Sequence, residues 1–173
     1  MRAVKLIVVT ASINEALITL VAAGPQQSQN GEQSEVNSDD LPFNRGQLSN
    51  IGTLEAEKHG DYDCFVYHDV DLIPEKSKTT YKCFPWPLHL AIGVEQSQYI
   101  PYYGGVGGVA IVPKQLIHQV NGHSNNFWGW GGEDDDLLLR FNSQGFNVMH
   151  YPAEVGRYRS LPHVPASPSP NRS

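Results

Sequence analysis

Cys64-Phe65-Val66-Tyr67-His68-Asp69-Val70-Asp71 is the stretch on which the reading of this chain turns. Its first four residues form a short continuous apolar run bounded by charge, the pattern of a strand buried on both faces. Where such a strand ends in a parallel α/β sheet, its loop opens onto the ligand crevice. Asp69 and Asp71 stand at i and i+2 in that loop, so both carboxylates can share one side of an emerging turn. Hard oxygens so placed suit Mg²⁺ or Mn²⁺, often together with substrate phosphates. Alone, Asp-x-Asp commonly marks a solvated turn; its place after a buried strand is what makes it a candidate site. It is not an EF-hand loop, because Ile73-Pro74 falls where further ligands and a glycine belong.

Outward from this strand the hydrophobic period changes from segment to segment. Residues 45–59 fit a helix with Leu48, Ile51 and Leu54 on neighbouring turns, ending near Gly60. Strands are expected at 89–94, 109–112 and 146–149, and helices at 114–120 and 134–143. In the last helix Leu137, Leu138 and Phe141 face inward and Gly145 ends it. Strands alternating with helices predict an α/β sheet covered on both faces. At the N-terminus, 1–24 read as a buried strand at 5–10 and a short helix at 14–23 stopped by Gly24-Pro25. Residues 25–42 read as a polar loop, and 164–173 as a disordered Pro/Ser tail. The informative region is 43–163.

The chain's 173 residues are one domain's worth, enough to bury roughly 70% of the unfolded surface. Twelve Lys+Arg against 18 Asp+Glu leave a net charge of -6, which excludes nucleic acid and anionic lipid as main partners. Two cysteines exclude a zinc ribbon or a dense disulfide scaffold. Asn14 and Glu15 interrupt the N-terminal apolar run, so no stretch of about 18 apolar residues spans a bilayer.

A second candidate site is Trp128-Gly129-Trp130-Gly131-Gly132-Glu133-Asp134-Asp135-Asp136. Two tryptophans among glycines make a mobile loop with flat faces suited to a sugar ring. Four acidic residues at a helix start complement its dipole, but capping has no use for the tryptophans. One of these carboxylates could take the proton of an attacking sugar hydroxyl. His163, six residues after Arg157, reads locally as a surface histidine or as an imidazole completing a metal shell.

Phe43-Asn44-Arg45, the run 64–74, the Trp128–Asp136 string and Val155-Gly156-Arg157…His163 occur in the order and at spacings similar to the β-1,4-galactosyltransferases, a resemblance covering 43–163. It implies a GT-A, Rossmann-like glycosyltransferase domain with a mixed, mostly parallel sheet flanked by helices. It also implies inverting transfer of galactose from UDP-galactose to the 4-hydroxyl of a terminal N-acetylglucosamine with Mn²⁺. By the same resemblance Asp71 and His163 are metal ligands, Asp134 is the general base and Glu133 a sugar-binding carboxylate. Phe43, Arg45, Asp69 and Val70 contact the nucleotide. Trp130, Tyr102, Gly131, Gly132 and Asp135 belong to the sugar and acceptor region. Cys64 and Cys83 fall on a family disulfide, whose loop of about 20 residues would add roughly 3 kcal/mol. A Golgi lumen and a membrane anchor are implied, although no anchor is seen in this chain.

Three departures from the family pattern carry expectations of their own. Ser160 stands where the family has a metal-ligating Met, and its harder oxygen shifts preference toward Mg²⁺. Gly105 stands in place of a Tyr that crowds the donor's 2-position, which would admit UDP-N-acetylgalactosamine. No counterpart of the family's arginine-rich nucleotide motif precedes residue 25. A catalytically impaired sugar- or nucleotide-binding paralogue, or a fragment, is therefore the alternative reading.

Overall fold

The computed structural model describes residues 6–11, 17–23, 32–35, 43–162, 168 and 170. Strands β1 (Leu6–Ala11), β2 (Leu17–Ala23) and β3 (Glu32–Glu35) come first, followed by helix α1 (Arg45–His59) and β4 (Cys64–His68). Next are β5 (Leu72–Pro74), β6 (Leu88–His89), β7 (Gly93–Val94), a 3-10 turn at Glu95–Ser97, and β8 (Val109–Pro113). Helices α2 (Lys114–Gln119) and α3 (Glu133–Ser143) precede β9 (Met149–His150) and β10 (Arg157–Ser160).

One sheet has the order β3-β2-β1-β4-β8-β6-β9, and a second has β5-β10-β7. In the large sheet β1–β4 and β6–β9 run parallel, whereas β1–β2, β2–β3, β4–β8 and β6–β8 run antiparallel. The sheet is thus mixed, as expected, but not mostly parallel as expected: antiparallel pairing prevails. The connection between β1 and β2 is only five residues long, too short for a crossover helix, so these neighbours must run antiparallel.

β4 is buried along Cys64–Tyr67, and its side chains alternate between two cores. Phe65 and Tyr67 join Ala110 and Val112 under all three helices, against Leu48, Ala56, Ile117, Leu137 and Phe141. Cys64 and Val66 join Val109, Ile111, Leu72, Leu90 and Tyr158 on the other face. Both faces are covered, one by helices and the other by the small sheet. The Cys64–Cys83 disulfide is formed, with Cα atoms 5.7 Å apart.

The segment expected to be helical at 14–23 is instead β2. Ile18, Thr19 and Val21 are β-branched and stiff at χ1, and a partner strand at β1 lets them prevail over a short apolar run's ambiguous period. The polar region 25–42 holds β3, because an edge strand pairs through its backbone and needs no apolar side chains. The single strand expected at 89–94 divides into β6 and β7, one in each sheet. The last strand of the expected set lies at Met149–His150, later than 146–149. The tail falls mainly outside the described residues; at Pro168 it forms a bridge with Trp130.

Helix α1 matches its expected bounds, and Leu48 and Ile51 turn to the core as expected, but Leu54 does not. Asn44 caps it, its Oδ1 accepting from Gln47 N at 2.9 Å. Leu54 points to solvent at 59% exposure, while Gly46, Ser49, Gly52, Thr53 and Ala56 are buried. These small residues let the helix backbone approach its neighbours closely, and apolar periodicity does not report such a face. An ideal Cβ at Gly46 would lie 2.3 Å from the Ser124 carbonyl oxygen. Gly46→Ala must push α1 away, costing on the order of 1–3 kcal/mol. Urea unfolding checks this; an unchanged midpoint would show that the contact yields freely.

Candidate active site

Three chain segments meet at one end of β4. Asp69 and Asp71 follow the strand, Arg45 opens α1, and Glu133 and Asp134 open α3. They border a cavity of about 300 Å³, together with Phe43, Val70, Tyr102 and Trp130. Nine of the residues singled out from sequence thus share one space. Gly131, Gly132 and Asp135 do not border it. Asp135 stands behind, accepting a hydrogen bond from the Tyr102 hydroxyl. His163 lies outside the described residues.

Arg45 organises the acidic groups. Its Nε donates to Asp69 Oδ1 at 2.8 Å and its Nη1 to Asp134 Oδ1 at 2.7 Å, with Glu133 Oε1 at 3.7 Å. Burial works against the guanidinium's charge, but Asp134, Asp69 and Glu133 together outweigh it and raise its pKa further. Desolvation lifts the Asp69 carboxyl to about 6, with Arg45 opposing and Asp134 and Asp71 reinforcing. Burial, then Asp134, lifts Glu133 as well; it is 4% exposed and its Oε2 has no hydrogen-bond partner among the described residues.

His68 steadies the Asp69–Asp71 turn from behind. Its Nδ1–H donates to the Asp69 carbonyl at 2.7 Å, and its Nε2 accepts from the Tyr81 hydroxyl at 2.9 Å. Tyr81 lies inside the loop that the Cys64–Cys83 disulfide closes. Burial keeps this imidazole neutral by lowering its pKa, which suits one donated and one accepted bond.

The loop before α3 owes its path to glycine. Gly129, Gly131 and Gly132 have φ of 92°, 93° and 99°, values that side chains resist. Gly129 N donates to the Phe43 carbonyl at 2.7 Å, tying the loop to the start of α1. Trp130 stays half exposed at the cavity edge.

For a cation, Asp71 offers the hard oxygen. Leu161 N donates to the Asp71 carbonyl at 2.7 Å, so β10 ends beside it. Ser160 pairs with Leu72, a cavity residue, and directly opposed residues share a face of the sheet. Its Oγ is buried with no hydrogen-bond partner among the described residues, an orphan that a hard cation would satisfy. Among the described residues no three His, Cys, Asp or Glu side chains gather as a metal cluster.

The Gly105 expectation loses its premise here. Gly105 does not border the cavity, and a Cβ there would meet Asp135 Oδ1 at 2.7 Å and the Tyr102 ring at 3.1 Å. It therefore opens no space for an N-acetyl group; Tyr102 is the residue on the cavity wall. Sequence reasoning also missed Leu72, Ala91, Ile92, Val94 and Ile100, which form the apolar side of the cavity, Gly107 beside Asp134, and Gly108 against Leu72 and Ala91. The Gly107-Gly108 pair just before a strand was the available signal for close backbone approach.

Residues 33–84 match the N-terminal region of glycosyl transferase group 7, and 88–164 match a domain described as the N-terminal domain of galactosyltransferase. The chain is 47% identical to human β-1,4-galactosyltransferase 4 over 123 residues, 70% of this chain. It is 44% identical to mouse β-1,4-galactosyltransferase 1 over 125 residues, 72% of this chain. The chain belongs to the β-1,4-galactosyltransferase family. It spans only 36% and 31% of those two relatives. Among solved structures, the Drosophila β-1,4-galactosyltransferase 7 mutant in complex with manganese, UDP-Gal and xylobiose superposes with a TM-score of 0.54. It is 33% identical, over 65% of this chain and 47% of that one. The same enzyme's catalytic domain with xylobiose gives 0.54 at 34% identity, again covering 65% and 47%. The fold is thus the GT-A fold of these galactosyltransferases.

Asp69 provides a pH prediction. Its folded pKa lies above the ordinary carboxylate value, so its share of stability is full below about pH 4 and is lost as pH rises through about 6. Carbon-13 NMR should follow the Asp69 carboxyl titrating near 6. In Arg45→Met the midpoint should climb higher, since the guanidinium holds it down. A midpoint unmoved by that substitution would contradict the ion pair.

Proposed function

We propose that this chain carries the catalytic cleft of a UDP-sugar-dependent hexosyltransferase. In this reading it transfers galactose from UDP-galactose, with inversion, to the 4-hydroxyl of a terminal N-acetylglucosamine. The convergence of Arg45, Asp69, Asp71, Glu133 and Asp134 on one cavity supports this above all else. Manganese and UDP-Gal bound to the Drosophila relative support the same class of donor and cation. The Cys64–Cys83 disulfide favours an oxidising lumen, and we assign the Golgi on that basis and on kinship.

Inversion needs one base and an in-line displacement. Asp134 is that base: it borders the cavity, and Arg45 holds its Oδ1 so that Oδ2 is left for the incoming hydroxyl. Glu133, buried with one oxygen unpaired among the described residues, offers an acceptor for a sugar hydroxyl. Phe43 and Val70 supply apolar contact beside Asp69 for the nucleotide. Trp130, between glycines that let it move, covers the sugar and excludes water that would otherwise intercept it. Asp71, Ser160 and His163 would hold the cation. When bound, a divalent cation offsets the charge on the departing diphosphate.

A transfer assay with UDP-galactose and an N-acetylglucosamine acceptor tests the reading. Product should form with a divalent cation, Asp71→Ala should abolish it, and Asp134→Asn should lower kcat by about 10²–10⁴-fold. With Ser160 as the hard ligand, Mg²⁺ should support turnover to within about tenfold of Mn²⁺ at saturation. Saturable UDP binding without turnover would overturn the enzymatic reading and leave a sugar- or nucleotide-binding paralogue.

A further inference from the structure

We propose that His89 is a positioning residue for Asp134, acting through the backbone of Gly107. This rests on the catalytic reading of Asp134 given above. His89 is 1% exposed, on β6, and touches neither the cavity nor the acidic cluster's ion pairs. Its Nε2–H donates to the Gly107 carbonyl at 2.8 Å, and that oxygen also accepts from Val109 N at 2.8 Å. Both lone pairs of the carbonyl are used, so the peptide is held in one orientation.

That peptide sits between the two sides of the site. A Cβ at Gly107 would lie 2.5 Å from Asp134 Oδ2 and 3.0 Å from its Cγ, so the bare backbone is pressed against the carboxylate. On one side of Gly107, Val106 N donates to the Asp134 carbonyl at 3.2 Å. On the other, the Gly108 carbonyl accepts from Asp69 N at 2.8 Å. Residues 106–108 therefore bridge the end of β4 and the start of α3. His89 is a side chain that fixes this bridge from the core.

The imidazole is built for one bond. A carbonyl accepts only, so Nε2 must carry the hydrogen. Nδ1 is buried without a hydrogen-bond partner among the described residues, and the His150 ring stands edge-on with centroids 5.5 Å apart. Burial, then His150, hold the ring's pKa down to about 4, so it stays a neutral donor across the working range. A histidine kept only for bulk would need no hydrogen at Nε2. One that positions Gly107 needs it there.

Two amides of equal chemistry and different reach separate these roles. The Gln amide reaches the Nε2 position, whereas the Asn amide stops near Nδ1. In the full chain, His89→Gln should keep at least about a third of kcat, and His89→Asn should lose about tenfold to a hundredfold. Donor KM should stay within about twofold in both. Without substrate, the carbon-13 signal of the Asp134 carboxyl at neutral pH should move in His89→Asn and return in His89→Gln. This second readout needs no turnover, so it judges His89 even if the transfer reaction fails. Equal carboxyl signals in the two variants, or equal rates where the unsubstituted chain turns over, would overturn the proposal.

Discussion

A single buried cation sets the terms for this site. Arg45 is only 12% exposed along its side chain and gives up most of its hydration on folding. Three carboxylates repay it, drawn from the end of β4 and the start of α3. The dependence is mutual. Without the guanidinium, Asp69, Glu133 and Asp134 would be like charges crowded at one cavity, and burial already pushes two of them toward their neutral forms. Sheet order therefore matters functionally. Placing β4 at the centre lets its loop face the first turns of both α1 and α3, which lie on one face of the sheet.

Around that pair the remaining structure restricts motion selectively. The turn carrying Asp69 and Asp71 is held by His68, by the Gly108 carbonyl and by the end of β10. The disulfide anchors the far end of the same loop. Opposite lies a segment in which glycines flank a half-exposed Trp130. A charged floor beside an aromatic edge suits chemistry in which the donor must be gripped and water kept out. The apolar wall of Leu72, Ala91, Ile92 and Ile100 lowers the local dielectric and so strengthens the charges it faces.

Much of this was legible in the residues themselves. The strand at 64–67 announces itself by an unbroken apolar run, and α1 by its apolar spacing and terminal glycine. The acidic and aromatic string at 128–136 carries its chemistry openly. What stayed hidden has physical causes. Apart from Leu48, the buried face of α1 is made of Gly, Ser, Thr and Ala, so the apolar period also pointed at Leu54, which is exposed. Residues 17–23 satisfy either a short helix or a strand until a neighbour fixes the choice. Ala91 and Gly107 help shape the cavity but possess no reactive group, so only three-dimensional proximity reveals them. Gly105 shows the converse error: a small residue suggested free space that Tyr102 and Asp135 already fill.

The most direct measurement is a crystal structure of the chain grown with Mn²⁺ and UDP, using the anomalous signal to locate the metal. The account predicts one metal peak about 2.2 Å from an Asp71 carboxylate oxygen, touching the diphosphate, with Arg45 still bridging Asp69 and Asp134. A metal and nucleotide bound elsewhere, or a cavity in which Arg45 has left both carboxylates, would contradict it.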